Sequence, residues 1–261
     1  MTKRLSTIAL VVGLIGVMMV IDTAPVHGQE ALICRKRTKK LGNGNNHVNY
    51  GPGRQVVNGG DGRDVLRGGP GNDLINGGRG NDKVFGGPGN DIVCGGLGND
   101  KVYGDAGDDE LYGEEDHDLI DPGPGNDYAL GSAGRDEVRG WGRIKGVIVD
   151  DGVDTIDGGH TNDVVVAGGP DYVFGGSNED RLSTATMDIA PSRMDGGYQD
   201  DVIIGSNADD EIFGDIGKDV IKGMGGNDVL RGEESPDKIY GGDPNKGDEA
   251  DASCESSPTV P

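Results

Sequence analysis

Aromatic side chains are scarce in this chain. Three phenylalanines, one tryptophan and seven tyrosines stand among 261 residues. Trp141, Tyr103, Tyr112 and Tyr240 are too sparse for a carbohydrate-binding platform, although outward-facing aromatics can contribute to one. Positive charge is scarce too: 24 basic residues face 46 acidic ones, and the net charge of −22 excludes nucleic acid as a partner, which needs a basic footprint. Three cysteines allow at most one intrachain bridge, and no CxxC metal pattern occurs. The histidines His27, His47, His117 and His160 are scattered, and there is no HExxH, GxSxG or P-loop motif. The one long apolar run, residues 8–21, is short for a membrane span.

What the chain has instead is glycine, 51 residues of it, set in a nine-residue period. The clearest stretch, residues 59–139, reads GGDGRDVLR, GGPGNDLIN, GGRGNDKVF, GGPGNDIVC, GGLGNDKVY, GDAGDDELY, GEEDHDLID, PGPGNDYAL and GSAGRDEVR. The register extends back through YGPGRQVVN and LGNGNNHVN to residue 41, and forward through GWGRIKGVI, VDDGVDTID and GGHTNDVVV. AGGPDYVF is one residue short, and GGSNEDRLS restores the length. A break at 184–195 precedes GGYQDDVII, GSNADDEIF, GDIGKDVIK, GMGGNDVLR and GEESPDKIY. A fixed period of this kind announces a stacked repeat fold rather than a globular core.

Each position of the unit suggests its own physical reason. Glycines at positions one, two and four suit a tight turn at positive φ, and Asn at position five (Asn72, Asn81, Asn90, Asn99) is the next best residue for such backbone. Positions seven to nine form a minimal strand whose middle residue points one way and whose neighbours point the other. Leu66, Ile75, Val84 and Val93 are then inward, while Arg67, Lys83, Lys101 and Tyr103 face water. Two units make one flattened coil, so unit n lies over unit n+2.

The string GGxGxDxUx resembles the nonapeptide of the RTX, or haemolysin-type, calcium-binding repeat. The resemblance covers about residues 41–240. It implies an all-β fold, a right-handed parallel β-roll, with Ca2+ held between stacked turns by aspartate oxygens and loop carbonyls of units n and n+2, an oxygen-rich shell suited to a hard cation. Carried over position by position, the metal ligands of the first run are Asp64, Asp73, Asp82, Asp91, Asp100, Asp109, Asp118, Asp127 and Asp136. The middle adds Asp154 and Asp163, and the last block adds Asp201, Asp210, Asp219, Asp228 and Asp237. Asp171, in the shortened unit, and Asp180, beside the break, match the motif but are left out of the set. Asn46, Gln55 and Lys145 depart from it; neutral amides offer one oxygen each, and no ion is expected beside Lys145. The paired acids Asp108–Asp109 and Asp200–Asp201 read as one ligand and one solvated neighbour.

The expected organisation is a secretory signal over 1–28, a lead-in over 29–40, a first roll over 41–183, a break at 184–195, a second roll over 196–240 and an acidic, structureless tail over 241–261. The signal reading rests on Lys3 and Arg4 before the apolar run and small residues before Gln29; an uncleaved anchor is the alternative. Cys94, at position nine, is expected to point outward. In an oxidising compartment its pairing with Cys34 is preferred, with Cys254 left over. One aliphatic side chain per nine ordered residues is too little burial to offset the conformational entropy, so folding is expected to need the metal.

Nothing outside the repeats is long enough to be a catalytic domain, and the chain is read as no enzyme. The leading expectation is a secreted or cell-surface calcium-binding roll with a structural or adhesion role, whose partners are calcium and other surface proteins or cell-surface polysaccharide. The alternatives are a calcium-dependent polysaccharide-binding module or, last, a small enzyme built on residues 140–195. Neither nucleic acid nor, once the signal is removed, a membrane is expected as a partner.

Overall fold

In the computed structural model, residues 34, 39–140, 142–144, 147–149, 153–184, 190–242 and 249–250 are described. The expected signal segment, Trp141, Lys145 and Cys254 lie outside them. Short strands alternate between two parallel sheets, one of 12 strands and one of 11, with successive strands assigned to opposite sheets. Partners are 18 residues apart: Val57 lies over Ile75, Ile75 over Val93, and Leu66 over Val84. The molecule is therefore a parallel β-solenoid with two nonapeptides to a coil.

The core is one column of position-eight side chains, running from Leu66 and Ile75 through Leu111, Ala129 and Ile156 to Leu230 and Ile239. Leu66, Ile75, Val84 and Val93 are all buried in it. On the outside, Arg67, Lys83 and Lys101 are exposed. Tyr103 is only half-exposed, because its ring stacks on Phe85 with centroids 4.7 Å apart.

The turns assign their glycines differently from the sequence reading. Positive φ occurs at positions two and four, as at Gly60 (110°) and Gly62 (139°), and at neither position one nor position five. The position-one glycine is required by close approach. A Cβ on Gly77 would come 2.5 Å from the Gly95 carbonyl oxygen and 2.7 Å from Asp82 Oδ2. Position five is a hydrogen-bond acceptor: Asp108 Oδ1 accepts the N–H of Asn126 (3.1 Å), and Asp209 Oδ1 that of Asn227 (2.8 Å). His117 Nδ1 does the same for Arg135 (2.7 Å). Asp108 and Asp200 are thus turn-tying groups rather than merely solvated ones.

The period is interrupted at several places. Strands Tyr128–Ala133 and Thr155–His160 are neighbours although their partner residues, Tyr128 and Thr155, stand 27 positions apart. The unit centred on position 145 is left out of the coil, and Gly142–Ile144 pairs antiparallel with Val147–Val149 as a hairpin. The continuous register expected through GWGRIKGVI does not hold. That unit has Trp at position two, where positive φ is needed, and Lys at position six. At 184–195 the sheets run on: Arg193–Tyr198 pairs with Tyr172–Ser177 on one side and Glu211–Phe213 on the other. Ser192 stands there at position six and Met194, fully buried, at position eight. Part of the tail also contributes, since Glu249–Ala250 pairs with Val229 and Leu230.

Cys34 is bonded to Cys94, with Cα atoms 6.1 Å apart. Cys94 does face away from the main core, but it is fully buried rather than exposed, because Cys34 is bonded to it there. Cys34, Cys94, Tyr112 and Leu130 make a second small apolar cluster on the outside of the larger sheet, and Asn76 Nδ2 donates to the Cys34 carbonyl (3.2 Å). The bridge closes a loop of 60 residues. Replacing both cysteines by serine is expected to lower stability by about 2–4 kcal/mol, measured by denaturant unfolding with calcium present.

Candidate metal centre

The position-six aspartates form two buried ladders, one along each edge of the roll. In one, the backbone N–H of Asp64 donates to Oδ1 of Asp82 (2.6 Å), that of Asp82 to Asp100 (2.7 Å), Asp100 to Asp118 and Asp118 to Asp136 (both 2.8 Å). The ladder steps over the hairpin from Asp136 to Asp163 (2.7 Å) and continues through Asp180, Asp201, Asp219 and Asp237. In the other, Asp73, Asp91, Asp109, Asp127 and Asp154 follow the same rule. It resumes from Asp210 to Asp228 (2.9 Å). Each of these carboxylates is at least 96% buried.

One oxygen of each carboxylate is satisfied by that N–H. The other is not: Oδ2 of Asp64, Asp73, Asp82, Asp91, Asp100, Asp109, Asp118, Asp136, Asp163, Asp180, Asp201 and Asp219 is buried with no hydrogen-bond donor. These oxygens face further acceptors. A Cβ added to Gly95 would lie 2.7 Å from Asp100 Oδ2 and 2.8 Å from the Gly113 carbonyl oxygen, so two acceptors of different coils converge on one small space. The same pairing recurs for Asp82 with the Gly95 carbonyl and for Asp180 with that of Gly196. Buried acceptors brought together without a donor are costly, and an oxygen-only donor set suits a hard divalent cation.

The first coil shows what fills such a space when the carboxylate is missing. Asn46, at position six, turns its Nδ2 toward the carbonyls of Gly44 (2.8 Å) and Gly59 (3.3 Å) and toward Asp64 Oδ1 (3.2 Å). Gln55 Nε2 likewise donates to the carbonyls of Gly51 and Gly53. These amides present hydrogen to the oxygens and stand where positive charge is wanted, instead of adding one oxygen more.

Three further positions depart from the rule. Oδ2 of Asp171 accepts the N–H groups of Gly168 and Gly169 (both 3.0 Å). Oδ2 of Asp210 accepts from the N–H and hydroxyl of Ser206 (2.7 and 3.0 Å), so this carboxylate, included among the expected ligands, is already satisfied inside its own turn. Ser192 offers no carboxylate, and its hydroxyl donates to the Gly169 carbonyl (2.7 Å). Asp180, by contrast, has the same geometry as the regular sites although the sequence places it beside the break. A cluster of Cys34, Cys94 and Glu114 also converges, but both of its sulfurs are consumed by the disulfide.

Burial drives the ladder pKa values up. Asp82 and Asp109 rise to about 6, Asp91, Asp136, Asp180 and Asp219 to about 7, Asp100, Asp163 and Asp201 to about 8, and Asp118 to about 9. The N–H bond from the neighbouring coil opposes this shift. At Asp100, Asp118, Asp163 and Asp201 the charges of adjacent carboxylates add to it. At neutral pH the folded array must therefore take up either protons or cations.

The family model of the RTX calcium-binding nonapeptide repeat matches residues 58–93, 85–120, 95–129, 121–142, 147–169, 193–221 and 222–243. Among curated proteins none matches the chain. The stretches left unmatched between residues 58 and 243, 143–146 and 170–192, fall in the hairpin and in the region of the shortened unit and the break.

A carboxyl whose folded pKa exceeds its unfolded value of about 3.9 costs stability as pH rises between the two, and that cost is complete above the folded value. Without metal, the β content of the chain should accordingly be greatest near the acid end of this window. It should fall as pH rises from about 4 toward the ladder values of about 6 to 9 and level off above them. Circular dichroism in chelator across that range checks this, and calcium added at pH 7 should release protons into weak buffer.

Proposed function

Because the chain belongs to the family of RTX calcium-binding nonapeptide repeats, we propose that it is a secreted protein whose roll folds as Ca2+ enters between the stacked turns. Its role is structural, as a surface, matrix or adhesion component. The observation that carries this reading is the row of buried Oδ2 atoms that face carbonyl oxygens with no donor between them. The regular sites for the ion are those of Asp64, Asp73, Asp82, Asp91, Asp100, Asp109, Asp118, Asp136, Asp163, Asp180, Asp201 and Asp219. Asp127, Asp154, Asp228 and Asp237 stand in the same ladders.

When bound, the ion supplies the positive charge that offsets the stacked carboxylates. The protein supplies the rest. Oδ1 of each aspartate holds the N–H of the next coil, the position-one glycine keeps the space open, and the position-eight column excludes water from behind. Binding and folding are then one event. Extracellular calcium modules bind at about 10⁻⁴–10⁻³ M, a range that leaves such a chain unfolded inside the cell and folds it outside. An apolar N-terminal run after Lys3 and Arg4 supports export by a secretory route. Calcium binding by a repeat scaffold, and not catalysis, is the activity this reading assigns.

The test is a calcium titration followed by far-ultraviolet circular dichroism, with magnesium as control. A cooperative coil-to-β transition specific to calcium is expected. Asp100→Asn should move its midpoint upward by about tenfold or more, the scale of losses at metal sites. Asp210→Asn should move it far less, because Ser206 already holds that Oδ2. A β spectrum indifferent to calcium and chelator would sink the proposal.

A further inference from the structure

The outer face of the eleven-stranded sheet carries charge opposite to that of the whole chain. Its strands Val65–Arg67, Lys83–Pro88 and Lys101–Ala106 present Arg67, Lys83 and Lys101 as exposed side chains. The other outward residues at positions seven and nine of these strands are Val65, Phe85 and Tyr103. In a protein of net charge −22, a purely cationic stretch over three successive coils is not a by-product of composition.

Nor is it a stabilising device. Lys83 and Lys101 are direct partners across the ladder, and like charges directly opposite on one face are destabilising. Arg67 is engaged locally: its guanidinium lies 3.8 Å over the Phe85 ring, and the charge of Asp105 at the corner is felt by it. Lys83 and Lys101 have no ion-pair partner among the described residues. Two coils beyond Lys101 on the same face, Arg139 is met by Glu137, so the sheet can neutralise its cations where it needs to. The Phe85–Tyr103 stack, with an interplanar angle of 7°, stiffens the row. A smaller group of the same kind recurs further along the sheet, where Lys222, Lys238 and Tyr240 border a shallow recess.

We propose that this face docks a linear anionic polysaccharide carrying one carboxylate per sugar, with its chain running along the axis of the roll. Adjacent strands step by about 4.8 Å, comparable with one sugar ring of an extended chain, so the ammonium groups of Lys83 and Lys101 meet carboxylates of successive sugars. The edges of Phe85 and Tyr103 lie against the ring C–H groups. Both faces of the Phe85 ring are taken, by Arg67 and Tyr103, which leaves the rings as a flank rather than a platform. A rigid row of cations fits a regular polyanion better than the curved, irregular edge of a second copy of the chain. Nucleic acid, denser in charge, is repelled most by the rest of this acidic molecule. The inference deepens the calcium reading and rests on it in one respect: ions in the ladders reduce the net negative charge that would otherwise oppose a polyanion.

The experiment is binding of galacturonate oligomers, short enough not to gel, to the full chain in calcium, by isothermal titration calorimetry, with neutral dextran oligomers as control. Salt-sensitive binding of the uronate alone is expected. Lys83→Gln/Lys101→Gln should weaken it about tenfold, as the loss of two exposed ion pairs implies, while Lys218→Gln, which removes a charge from a turn, should not. Circular dichroism and sedimentation on each variant separate the causes. No uronate binding by a calcium-folded chain overturns the proposal, as does equal weakening by Lys218→Gln. Affinity unchanged in the double variant overturns it too, as does a change in oligomeric state with no change in uronate affinity, which would make a second copy the occupant. If uronate binds through Lys83 and Lys101 while calcium leaves the spectrum unaltered, the docking face stands and the metal-folding reading falls.

Discussion

A buried carboxylate with one oxygen satisfied and the other facing a carbonyl is the constraint on which this roll depends. The satisfied oxygen is a structural bond: Oδ1 of Asp100 takes the N–H of Asp82, and so fixes the stacking of one turn on the next. The unsatisfied one is a liability in the low-dielectric interior of the edge, where an uncompensated charge is expensive. Both facts follow from one residue at one position. The group that fixes the spacing of the turns is also the group that demands a cation, and stacking order and metal demand are therefore inseparable.

The rest of the turn is arranged around that carboxylate. Position one is glycine because a methyl group at Gly95 would crowd Asp100 Oδ2 and the Gly113 carbonyl together. Position five ties the turns in the opposite direction: Asp108 accepts from Asn126 one coil ahead, whereas Asp109 accepts from Asp91 one coil behind. Adjacent residues thus lace each turn to both neighbours, which resists sliding of one coil over the next. Strand bonds and the position-eight column are left to join the coils between the turns and exclude water, and neither needs bulky side chains. That is why so few aromatics suffice.

Much of this is legible in the sequence. The inward column from Leu66 to Ile239 is plain because most coils repeat it at a distance of 18 residues, and that repetition leaves no competing period. What escapes is anything the period does not distinguish. Asn at position five is compatible with both positive φ and an acceptor role, and the bond from the Asn90 N–H to Asn72 Oδ1 decides for the second. The unit GWGRIKGVI keeps its length and its aliphatic position eight, yet it is expelled as a hairpin, since register counts residues and cannot weigh a tryptophan at a turn. Ser192-Arg193-Met194-Asp195 continues the array with serine and methionine in place of aspartate and an aliphatic residue. A pattern defined by aspartate passes over it. Asp210 looks identical to Asp100 in the motif, and differs because Ser206 turns both its N–H and its hydroxyl to the carboxylate, whereas Ser132, at the same position of the Asp136 turn, adopts φ 79° and leaves that carboxylate alone. Cys94 is outward by its position and is buried at its bond with Cys34, sixty residues away.

The distribution of strain along the roll gives the repeats a direction. Up to Gly98, every residue at positive φ is glycine; from Asp105 onward Glu114, Asp116, Ser132, Thr161, Asn178, Gln199, Asp215, Met224, Glu233 and Ser235 also adopt it. Non-glycine residues in such backbone cost about 1–3 kcal/mol each at the strained extreme, and β-branched Thr161, at φ 87°, is the least suited to it. In a solenoid each coil contacts only its neighbours, so its stability is the sum of its own turn energies and its interfaces. The glycine-rich coils before residue 100 are also the ones pinned by the Cys34–Cys94 bridge. The strained later coils are held by stacking and by the carboxylate ladder. Unstrained turns and the disulfide thus coincide at one end of the roll, while the turns that depend most on stacking and on the carboxylate ladder lie toward the other.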